Sequence, residues 1–432
     1  MRSFSCVTLT PSEFDAFSAT HPLGNFQQTS LMGTVREKNG VDVSYLGVLE
    51  DGRLVAATEL ELHRSRLSTF GEIHDGPLCD FHDRELTAYL FDAIRERARA
   101  AGAAQVEVTP EVPYRIRKGD GTEIPGQGPD DESLESLTTA GLVHEGFGRG
   151  YSAVPRWRYV KDLSGIEGED ALIASYNKKA RRDVRTAHAS FVSVERIGRD
   201  ELPTYHHICE LSCEKQGFEN RPLAYFELLY DALGDAAEFL VAYIDMPAYL
   251  SSWERKRDAL LADIERYEVT IAEVESTNKS GQGQYRSTKK LVRQMADARE
   301  KYESSLRRIN DARAALDAHG RAERIPAAAA LFVWHQRECV YLFSGSDQSL
   351  AAFCAPTLVQ HQIMCECVER GCYRYNFYGI DGIFDPASPG YGLIEFKQSF
   401  NGYIEELLGS FTMPVRPAIL AAKRLAHKIL GR

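Results

Sequence analysis

The first hundred residues carry a hydrophobic pattern that predicts a compact α/β unit. Residues 43–60 read as two strand-like runs joined at Asp51-Gly52, a strong signal for a β-hairpin. Apolar residues then recur at helical spacing until Gly102, where a glycine ends the pattern. The run 105–110 follows as a strand. The unit therefore has the order hairpin, helix, strand.

The same order recurs late in the chain. Residues 328–346 predict a second hairpin, residues 349–370 a helix that stops at Gly371, and residues 373–379 a closing strand. A repeated order of elements predicts two structurally related α/β domains.

A different pattern occupies residues 249–320, where apolar residues follow heptad spacing in two stretches separated by a Gly/Ser/Asn-rich turn over 276–288. This pattern predicts two helices that form an antiparallel coiled-coil arm. At 1.5 Å per residue each helix would extend roughly 35 Å. The apolar positions are Trp253, Leu260, Ile264, Tyr267, Ile271 and Val274 in the first helix, and Leu291, Met295, Ala298, Tyr302, Ile309, Ala312 and Leu316 in the second.

These patterns predict the domain organisation of a mixed α/β (α+β) protein. The first domain covers residues 1–160, and residues 403–432 return to it. The second domain covers residues 161–402 and carries the arm, 249–320, as an insertion. The end of the chain, 417–432, predicts a short basic amphipathic helix, which either docks against the fold or contacts anionic lipid.

The charge of the arm differs from that of the rest of the chain. The 432 residues carry a net charge of −11, but the arm contains 14 Lys+Arg and 12 Asp+Glu and is therefore +2. Residues 276–296, at its tip, contain five cations and no acid. Such a tip suits the phosphate backbone of a nucleic acid. A solvated helical surface that serves solubility or protein contact is the open alternative.

The nine cysteines are an odd number without a paired Cys-x-x-Cys framework, which favours free thiols in a reducing compartment. No metal site is expected. Cys365 and Cys367 lie only two positions apart on a predicted helix, so their side chains cannot both face one metal ion. The chain has no run of 18 apolar residues. We therefore expect a cytoplasmic protein whose membrane contact, where it exists, is peripheral.

The stretch from Tyr375 to Gly402 holds the residue with the strongest chemical signal, Lys397. Bulky apolar residues surround it in the sequence, so its ammonium group needs an anion nearby or loses its proton. The alternative is a lysine that extends from a strand edge, with a packed stem and a solvated head.

Five segments of the last third resemble the Fem family of peptidoglycan bridge aminoacyltransferases, the FemA/FemB/FemX group. They are Tyr341-Leu-Phe-Ser-Gly-Ser346, the helix after it, Arg374-Tyr-Asn-Phe-Tyr-Gly-Ile380, Glu395-Phe-Lys-Gln-Ser-Phe400 and the run 405–411. Weaker similarity covers the rest of the chain, including the helical arm.

The resemblance implies two GNAT-like domains and transfer of an amino acid from aminoacyl-tRNA to the side-chain amine of a peptidoglycan stem peptide. The acceptor would be lipid II or a UDP-linked muropeptide. Aminoacyl-tRNA is the co-substrate, and no cofactor is expected. Other bridge-forming transferases and the inner face of the cytoplasmic membrane are expected as further partners.

The resemblance also implies roles for individual residues. Phe396 and Lys397 match the pair at the family's reacting centre, and Arg221 matches its acceptor-phosphate arginine, with Tyr225 beside it. Arg36 stands where the family has a lysine, and its guanidinium could grip a diphosphate. Two further sets are expected: Tyr341 and Tyr375 as substrate-binding residues, and Lys279, Arg286, Lys289, Lys290 and Arg293 as tRNA contacts at the arm tip.

One departure from the family concerns proton transfer. The family often has Asp-Pro after the first closing strand, and here the pair is Thr109-Pro110. Either Glu107 or Glu111 substitutes for the acid, or no enzyme base is needed. We favour the second reading, because an ester of tRNA is already activated and chiefly needs positioning and charge stabilisation.

Two rival classes remain open. A GNAT-type acyl-CoA N-acyltransferase shares the hairpin-helix-strand unit, but the sequence lacks a glycine-rich pyrophosphate loop between strand and helix. A non-enzymatic scaffold or RNA-binding protein would be organised by its coiled coil, and deletion of residues 249–320 would then abolish its main activity.

Overall fold

The computed structural model describes residues 2–64, 69–150, 154–216, 219–281 and 284–417, with the side chains of 215 and 216 excepted. Fifteen strands occur in this part of the chain. They are β1 (Phe4–Thr8), β2 (Asp42–Glu50), β3 (Arg53–Arg64), β4 (Thr69–His74), β5 (Ala103–Thr109), β6 (Pro113–Lys118), β7 (Val143–His144), β8 (Trp157–Asp162), β9 (Val192–Arg196), β10 (Ala237–Asp245), β11 (Arg324–Trp334), β12 (Glu338–Ser346), β13 (Arg374–Ile380), β14 (Tyr403–Leu407) and β15 (Phe411–Pro414).

Twelve α-helices occur in the same ranges. They are α1 (Pro11–Thr20), α2 (Ser30–Lys38), α3 (Arg84–Ala100), α4 (Asp131–Thr139), α5 (Gly168–Ser175), α6 (Lys178–Ala189), α7 (Leu202–Gln216), α8 (Leu223–Leu233), α9 (Met246–Ser280), α10 (Lys289–Ala318), α11 (Ala355–Arg370) and α12 (Tyr391–Gln398). The helix predicted over 349–370 is divided at Cys354, whose φ of 56° places it in the left-handed region.

The strands form two mixed sheets with the same internal order. The first sheet runs β1-β2-β3-β4-β5-β15-β7, and the second runs β6-β14-β8-β13-β12-β11-β10-β9. Counted from β1 in the first sheet and from β9 in the second, three antiparallel pairings are followed by a parallel one. The parallel pairs are β4 with β5 and β12 with β13. Helices α1 and α2 correspond to α7 and α8, and α3 corresponds to α11. The predicted pair of related α/β domains is confirmed.

The correspondence between the two copies differs from the predicted one by a strand. The hairpin β2–β3 corresponds to β10–β11, whereas β11–β12 corresponds to β3–β4. The sequence pattern did not reveal β4 or β10. The reason is physical: the arm separates β10 from its hairpin partner β11, so no tight turn marks their pairing.

The two sheets exchange chain segments, which changes the predicted boundaries. Strand β6, from the predicted first domain, pairs with β14 in the second sheet. Strand β14 was predicted to return to the first domain, but it pairs with β6 and β8. Among the described residues after β14, β15 is the strand that returns, beside β5. The predicted helix over 417–432 lies, apart from residue 417, outside the described residues.

Long helices α9 and α10 form the arm. Asp245 caps α9 by accepting a hydrogen bond from the backbone N–H of Ala248, and Pro247 lies in its first turn. Ion pairs Arg313–Glu254 and Arg299–Glu268 join the helices in antiparallel order. At 1.5 Å per residue, α9 extends about 50 Å, longer than predicted because it starts at Met246 and continues to Ser280. Heptad supercoiling stays a prediction.

The base of the arm belongs to the core of the second domain. Tyr249 and Ala312 are buried there, and Trp253 and Leu316 pack against them. A separate core fills the first domain between its sheet and α3. None of the described helices is both long and apolar enough to cross a membrane.

Candidate active site

The parallel strands of the second sheet pair over only a short distance. Strands β12 and β13 are in register from Glu338 and Arg374 to Val340 and Asn376, where their pairing ends. Both strands continue beyond that point with other partners, β12 with β11 and β13 with β8. In the first sheet, by contrast, β4 and β5 stay paired to their ends. The second sheet therefore diverges, and backbone groups of β13 need other partners there.

A β-bulge shapes β13 at the same place. Asn376 faces Val160 of β8 and Gly379 faces Arg158, so two residues of β13, Phe377 and Tyr378, lie opposite one residue of β8. Tyr378, inside the bulge, has a φ of 60°, a conformation that few non-glycine residues adopt. Its ring lies beneath the Arg158 guanidinium, 5.2 Å from the ring centre. The bulge thus turns one face of β13 toward the first domain.

Lys397 contacts β13 just beyond the end of its pairing with β12. It lies in the last turn of α12, with only 3% of its surface exposed. Its Nζ donates hydrogen bonds to the carbonyl oxygens of Phe377 at 2.8 Å and Gly379 at 2.7 Å. Burial lowers the pKa of Lys397 to about 7. The alternative of a solvated lysine on a strand edge is wrong, since the side chain is buried and its residue is helical.

The pKa of Lys397 makes a testable prediction about stability. An unfolded lysine keeps its proton up to about pH 10.4, whereas the buried one loses it near pH 7. Between these values the unfolded state binds more protons, so stability rises with pH and is lost as the pH falls toward 7. The free energy of unfolding of the wild type, minus that of Lys397→Met, should rise by about 1.4 kcal/mol per pH unit across this window.

Urea denaturation of both proteins at several pH values measures that difference, because all other titrating groups cancel in it. Lys161→Met is the matched comparison: burial lowers the pKa of Lys161 to about 8, so its window starts about one unit higher. A difference that is flat with pH would mean that Lys397 keeps its proton in the folded protein.

Phe396 precedes Lys397 and lies half-buried, with its ring against Phe400 at 5.5 Å. Tyr341 is also half-buried and stacks on Phe332. Tyr375 differs from these two. It is fully buried, and its hydroxyl donates to Gln360 Oε1 at 2.6 Å. The predicted substrate contact is therefore not available to Tyr375 in this arrangement, because its only polar atom is already paired inside the core.

The fold brings together the two predicted phosphate ligands, which lie in different domains. Arg36 is in α2 and Arg221 immediately precedes α8, and these helices pack against each other. The Arg221 guanidinium lies over the Tyr225 ring, 5.5 Å from its centre. Burial raises the pKa of Tyr225, and the positive charges of Arg221 and Arg36 oppose that rise.

The two arginines differ in what they already bind. Arg36 is buried and pairs with Glu59 and, through Nε, with Glu61 at 2.9 Å, while Gln27 accepts two more of its hydrogen bonds. Arg221 is exposed, and among the described residues no carboxylate pairs with it. Arg221 is thus ready to meet a phosphate, whereas Arg36 would have to leave a carboxylate to do so.

A buried ionic cluster joins the domains, and sequence reasoning missed it. Arg158 is fully buried and contacts Asp75 at 2.6 Å and Glu111 at 3.0 Å, both from the first half of the chain. Arg374 pairs with Glu338 at 2.9 Å, with Glu405 and with Glu111. Burial raises the pKa of Asp75 and raises that of Glu111 to about 8. The only sequence signal was a charged residue in or beside a strand rich in apolar residues.

A cavity of about 240 Å³ lies beside this cluster, between the domains. Thr109, at the family's acidic position, donates to the carbonyl of Ile73 and accepts from the N–H of Asp75. Asp75 Oδ2 is buried without a hydrogen-bond partner. Glu107, by contrast, is exposed on β5. The residues lining the cavity include Asp75, Thr109, Pro110, Glu145, Arg149, Pro155, Arg156, Leu407 and Ser410.

The five cations predicted to contact tRNA all lie exposed at or beside the tip of the arm, where α9 ends and α10 begins. The side-chain amide of Asn278 holds the turn by bonding both the N–H and the carbonyl of Arg286. Tyr285 is 79% exposed beside it. The residues are Lys279, Arg286, Lys289, Lys290 and Arg293.

Comparisons with known proteins agree with this architecture. A model of the FemAB family matches residues 9–428. Aminoacyltransferase FemA of Staphylococcus aureus strain N315 is 24% identical over 430 residues, covering 99% of both chains. A crystal structure of FemX is similar, with a TM-score of 0.73 and 25% identity over 97% of this chain and 99% of that one. A tandem GNAT protein from the clavulanic acid biosynthesis pathway has a TM-score of 0.46 and 10% identity, covering 96% and 99%. The likeness to FemX confirms the predicted α/β fold class, while the coiled-coil character of the arm stays a prediction.

Proposed function

The chain belongs to the FemAB family, and from this premise we propose that it is an aminoacyltransferase of peptidoglycan bridge synthesis. It would move an amino acid from aminoacyl-tRNA to the side-chain amine of a stem peptide, with lipid II or a UDP-linked muropeptide as the acceptor. The observation that carries this proposal is the buried Lys397 at the divergence of β12 and β13. The relative from strain N315 is named aminoacyltransferase FemA, and the match covers 99% of both chains.

The proposed reaction is an aminolysis of the aminoacyl ester. The acceptor nitrogen attacks the ester carbonyl carbon, which becomes tetrahedral and places negative charge on its oxygen. The bond to the ribose oxygen then breaks, the peptide bond forms, and the proton released by the amine ends on the ribose oxygen. The overall step needs no oxidant and no cofactor.

Lys397 would supply charge stabilisation in this step. Two of its three N–H groups can satisfy Phe377 and Gly379, which fixes the ammonium group and leaves the third free to donate. A positive charge in a buried environment interacts strongly with a developing oxyanion. Because burial lowers its pKa to about 7, the group carries its charge most readily when an anion is present to compensate.

The acceptor diphosphate would bind at the contact of the two domains. Arg221 is exposed and stacked on Tyr225, which holds its guanidinium in place for a bidentate contact. Arg36 lies nearby but already pairs with Glu59 and Glu61, so we assign it an orienting role. It contacts the diphosphate directly only where one of these carboxylates is protonated or displaced. Burial raises the pKa of Glu59 to about 8, which makes it the carboxylate that releases Arg36 most easily.

The decisive test of this function is a transfer assay. The purified protein is incubated with lipid II and a mixture of charged tRNAs, and mass spectrometry measures the mass added to the acceptor. A gain equal to one or more amino-acid residues, lost after ribonuclease treatment, supports the proposal. An acceptor of unchanged mass, together with heat released on binding acetyl-CoA in calorimetry, would favour the acyl-CoA N-acyltransferase instead.

The tip of the arm is proposed to contact the tRNA. Replacing its five cations by serine should raise the KM for aminoacyl-tRNA at least about tenfold and flatten its salt dependence, because each lost phosphate contact removes a share of counterion release. The matched control replaces three exposed cations of the arm's shaft, Arg255, Lys301 and Arg307, which should leave the salt slope unchanged. Equal salt slopes in the wild type, the tip variant and the shaft control would mean that the arm has a structural or protein-contact role.

A further inference from the structure

A pair of matching tripeptides occupies neighbouring strands of the first sheet. Glu61-Leu-His63 lies on β3 and Glu72-Ile-His74 on β4, and Glu61 is directly opposite Glu72 in the antiparallel register. Alternate residues of a strand point to the same face. The two glutamates and two histidines therefore form one cluster, which we call the Glu/His cluster, on a single face of the sheet.

The nitrogen and oxygen atoms of the Glu/His cluster converge. His63 Nε2 lies 2.8 Å from Glu72 Oε2 and 3.6 Å from Glu61 Oε2, and His74 Nε2 lies 3.9 Å from the same Glu72 oxygen. In a tetrahedral zinc site, ligand bonds of about 2.0–2.2 Å place neighbouring ligand atoms about 3.3 Å apart. The observed separations fall on both sides of that value. Glu61, Glu72 and His74 already offer ligand atoms within 4.8 Å of one another, and His63 lies beside them as the fourth residue.

The surroundings orient the histidines as a metal site requires. His74 Nδ1 lies 2.6 Å from Glu61 Oε1, a hydrogen bond that leaves the lone pair on Nε2. Arg36 Nε binds the same Oε1 at 2.9 Å, so Glu61 Oε2 remains for another partner. The His63 ring stacks on Phe70, with 4.8 Å between ring centres. Its Nε2 is buried and makes no hydrogen bond of acceptable geometry.

The charges on this face also favour a cation. Glu59, Glu61 and Glu72 lie on the same side of the two strands, and Arg36 is the cation paired with the first two of them. With neutral imidazoles, and with Glu59 protonated because burial raises its pKa to about 8, Glu61, Glu72 and Arg36 leave one net negative charge, which favours a cation. A set of two imidazoles and two carboxylates suits zinc and its neighbours rather than magnesium or calcium, which prefer oxygen ligands throughout.

We propose that Glu61, His63, Glu72 and His74 bind one divalent transition-metal cation of the zinc class. None of its ligands is Lys397 or Arg221, but the site borders the proposed diphosphate contact, because Arg36 pairs with Glu61. The site departs from the expectation that the chain holds no metal, which rested on the cysteines. A pair of Glu-x-His tripeptides becomes a candidate only once the strand register is known.

The test is direct metal titration of the purified full-length chain after removal of metals with a chelator. Zinc is added in competition with a chromophoric chelator, and cobalt is added separately to read its d–d absorption, which is intense only in tetrahedral sites. One zinc ion per chain should bind, and His74→Ala and His63→Ala should each weaken binding at least about 100-fold. Magnesium should not compete.

Three controls make the result specific. His82→Ala removes an exposed histidine that also contacts a carboxylate, Asp130 at 3.1 Å, and should bind zinc like the wild type. Cys6→Ser removes the exposed thiol and should also leave binding unchanged. Glu72→Gln is nearly isosteric, so it tests the site in a protein whose fold is preserved, as circular dichroism will check. Absent binding in the wild type, or equal binding in the His63, His74 and Glu72 variants, would overturn the site.

Discussion

Lys397→Met is expected to lower the rate of aminoacyl transfer by about 100- to 1000-fold, with the fold intact. Methionine has nearly the length of lysine and fits the apolar surroundings, but it cannot donate a hydrogen bond to the anionic oxygen of the intermediate. The loss should appear in kcat more than in KM, because the interaction forms chiefly in the transition state. A single-turnover assay with labelled aminoacyl-tRNA and lipid II measures it.

Lys161→Met is the matched control for this experiment. Lys161 is also 3% exposed, and its Nζ lies 3.5 Å from the carbonyl oxygen of Asn401, but it stands on β8 rather than at the divergence of β12 and β13. Its replacement should change the rate less than about threefold, which is within the scatter of ordinary effects of single substitutions. Similar losses of rate in both variants would mean that transfer depends on any buried lysine rather than on the position of Lys397. Near-normal turnover of Lys397→Met would mean that Lys397 takes no part in the chemistry.

Arg158→Met is expected to destabilise the protein by about 3–5 kcal/mol, because it leaves Asp75 and Glu111 buried without their main cation. The deficit should grow with pH. Burial already raises the folded-state pKa values of both acids, and without Arg158 these values rise further. The neutral carboxyl groups cost little stability at low pH, but their ionisation without a cation lowers the free energy of unfolding as the pH increases. Urea unfolding at pH 6 and pH 10 measures the effect, because Glu111 ionises in the folded wild type only near pH 8.

Two comparisons separate this effect from the simple loss of an ion pair. Arg313→Met breaks the exposed pair with Glu254, at 2.6 Å, and should cost less than about 1 kcal/mol. Adding Asp75→Asn and Glu111→Gln to Arg158→Met should recover part of the lost stability, since neutral amides no longer require a cation. A triple variant no more stable than Arg158→Met, or a deficit that shrinks as the pH rises, would contradict the electrostatic explanation.

The ionic cluster also has a consequence for the site. Asp75 and Glu111 come from the first half of the chain, while Arg158 and Arg374 lie on strands of the second sheet. Buried ion pairs are geometrically demanding and cost desolvation, so they hold the two domains in one relative position rather than adding much net stability. A fixed interface keeps Arg36 and the cavity beside Asp75 in constant relation to Arg221 and Lys397 of the second domain.

Much of the architecture could be predicted from local patterns. Heptad spacing marked the helices of the arm, and the turn at Asp51-Gly52 marked the β2–β3 hairpin, because both depend on neighbours in sequence. The boundaries that failed depend on pairings across long separations. Strand β14 pairs with β6 and β8, which lie more than two hundred residues earlier in the chain, so no local pattern could assign it to the second sheet.

For the site, the sequence by itself determined which residue types are present and their order: a lysine among apolar neighbours, a basic tip on a helical hairpin, and motifs that resemble one family. Only the tertiary structure decided the state of those residues. Burial in the folded protein lowers the pKa of Lys397 and encloses Tyr375 in the core, while contacts with Glu59 and Glu61 engage Arg36 and leave Arg221 open. The physical reason is that desolvation and pairing depend on distances through space, whereas the sequence records only distances along the chain.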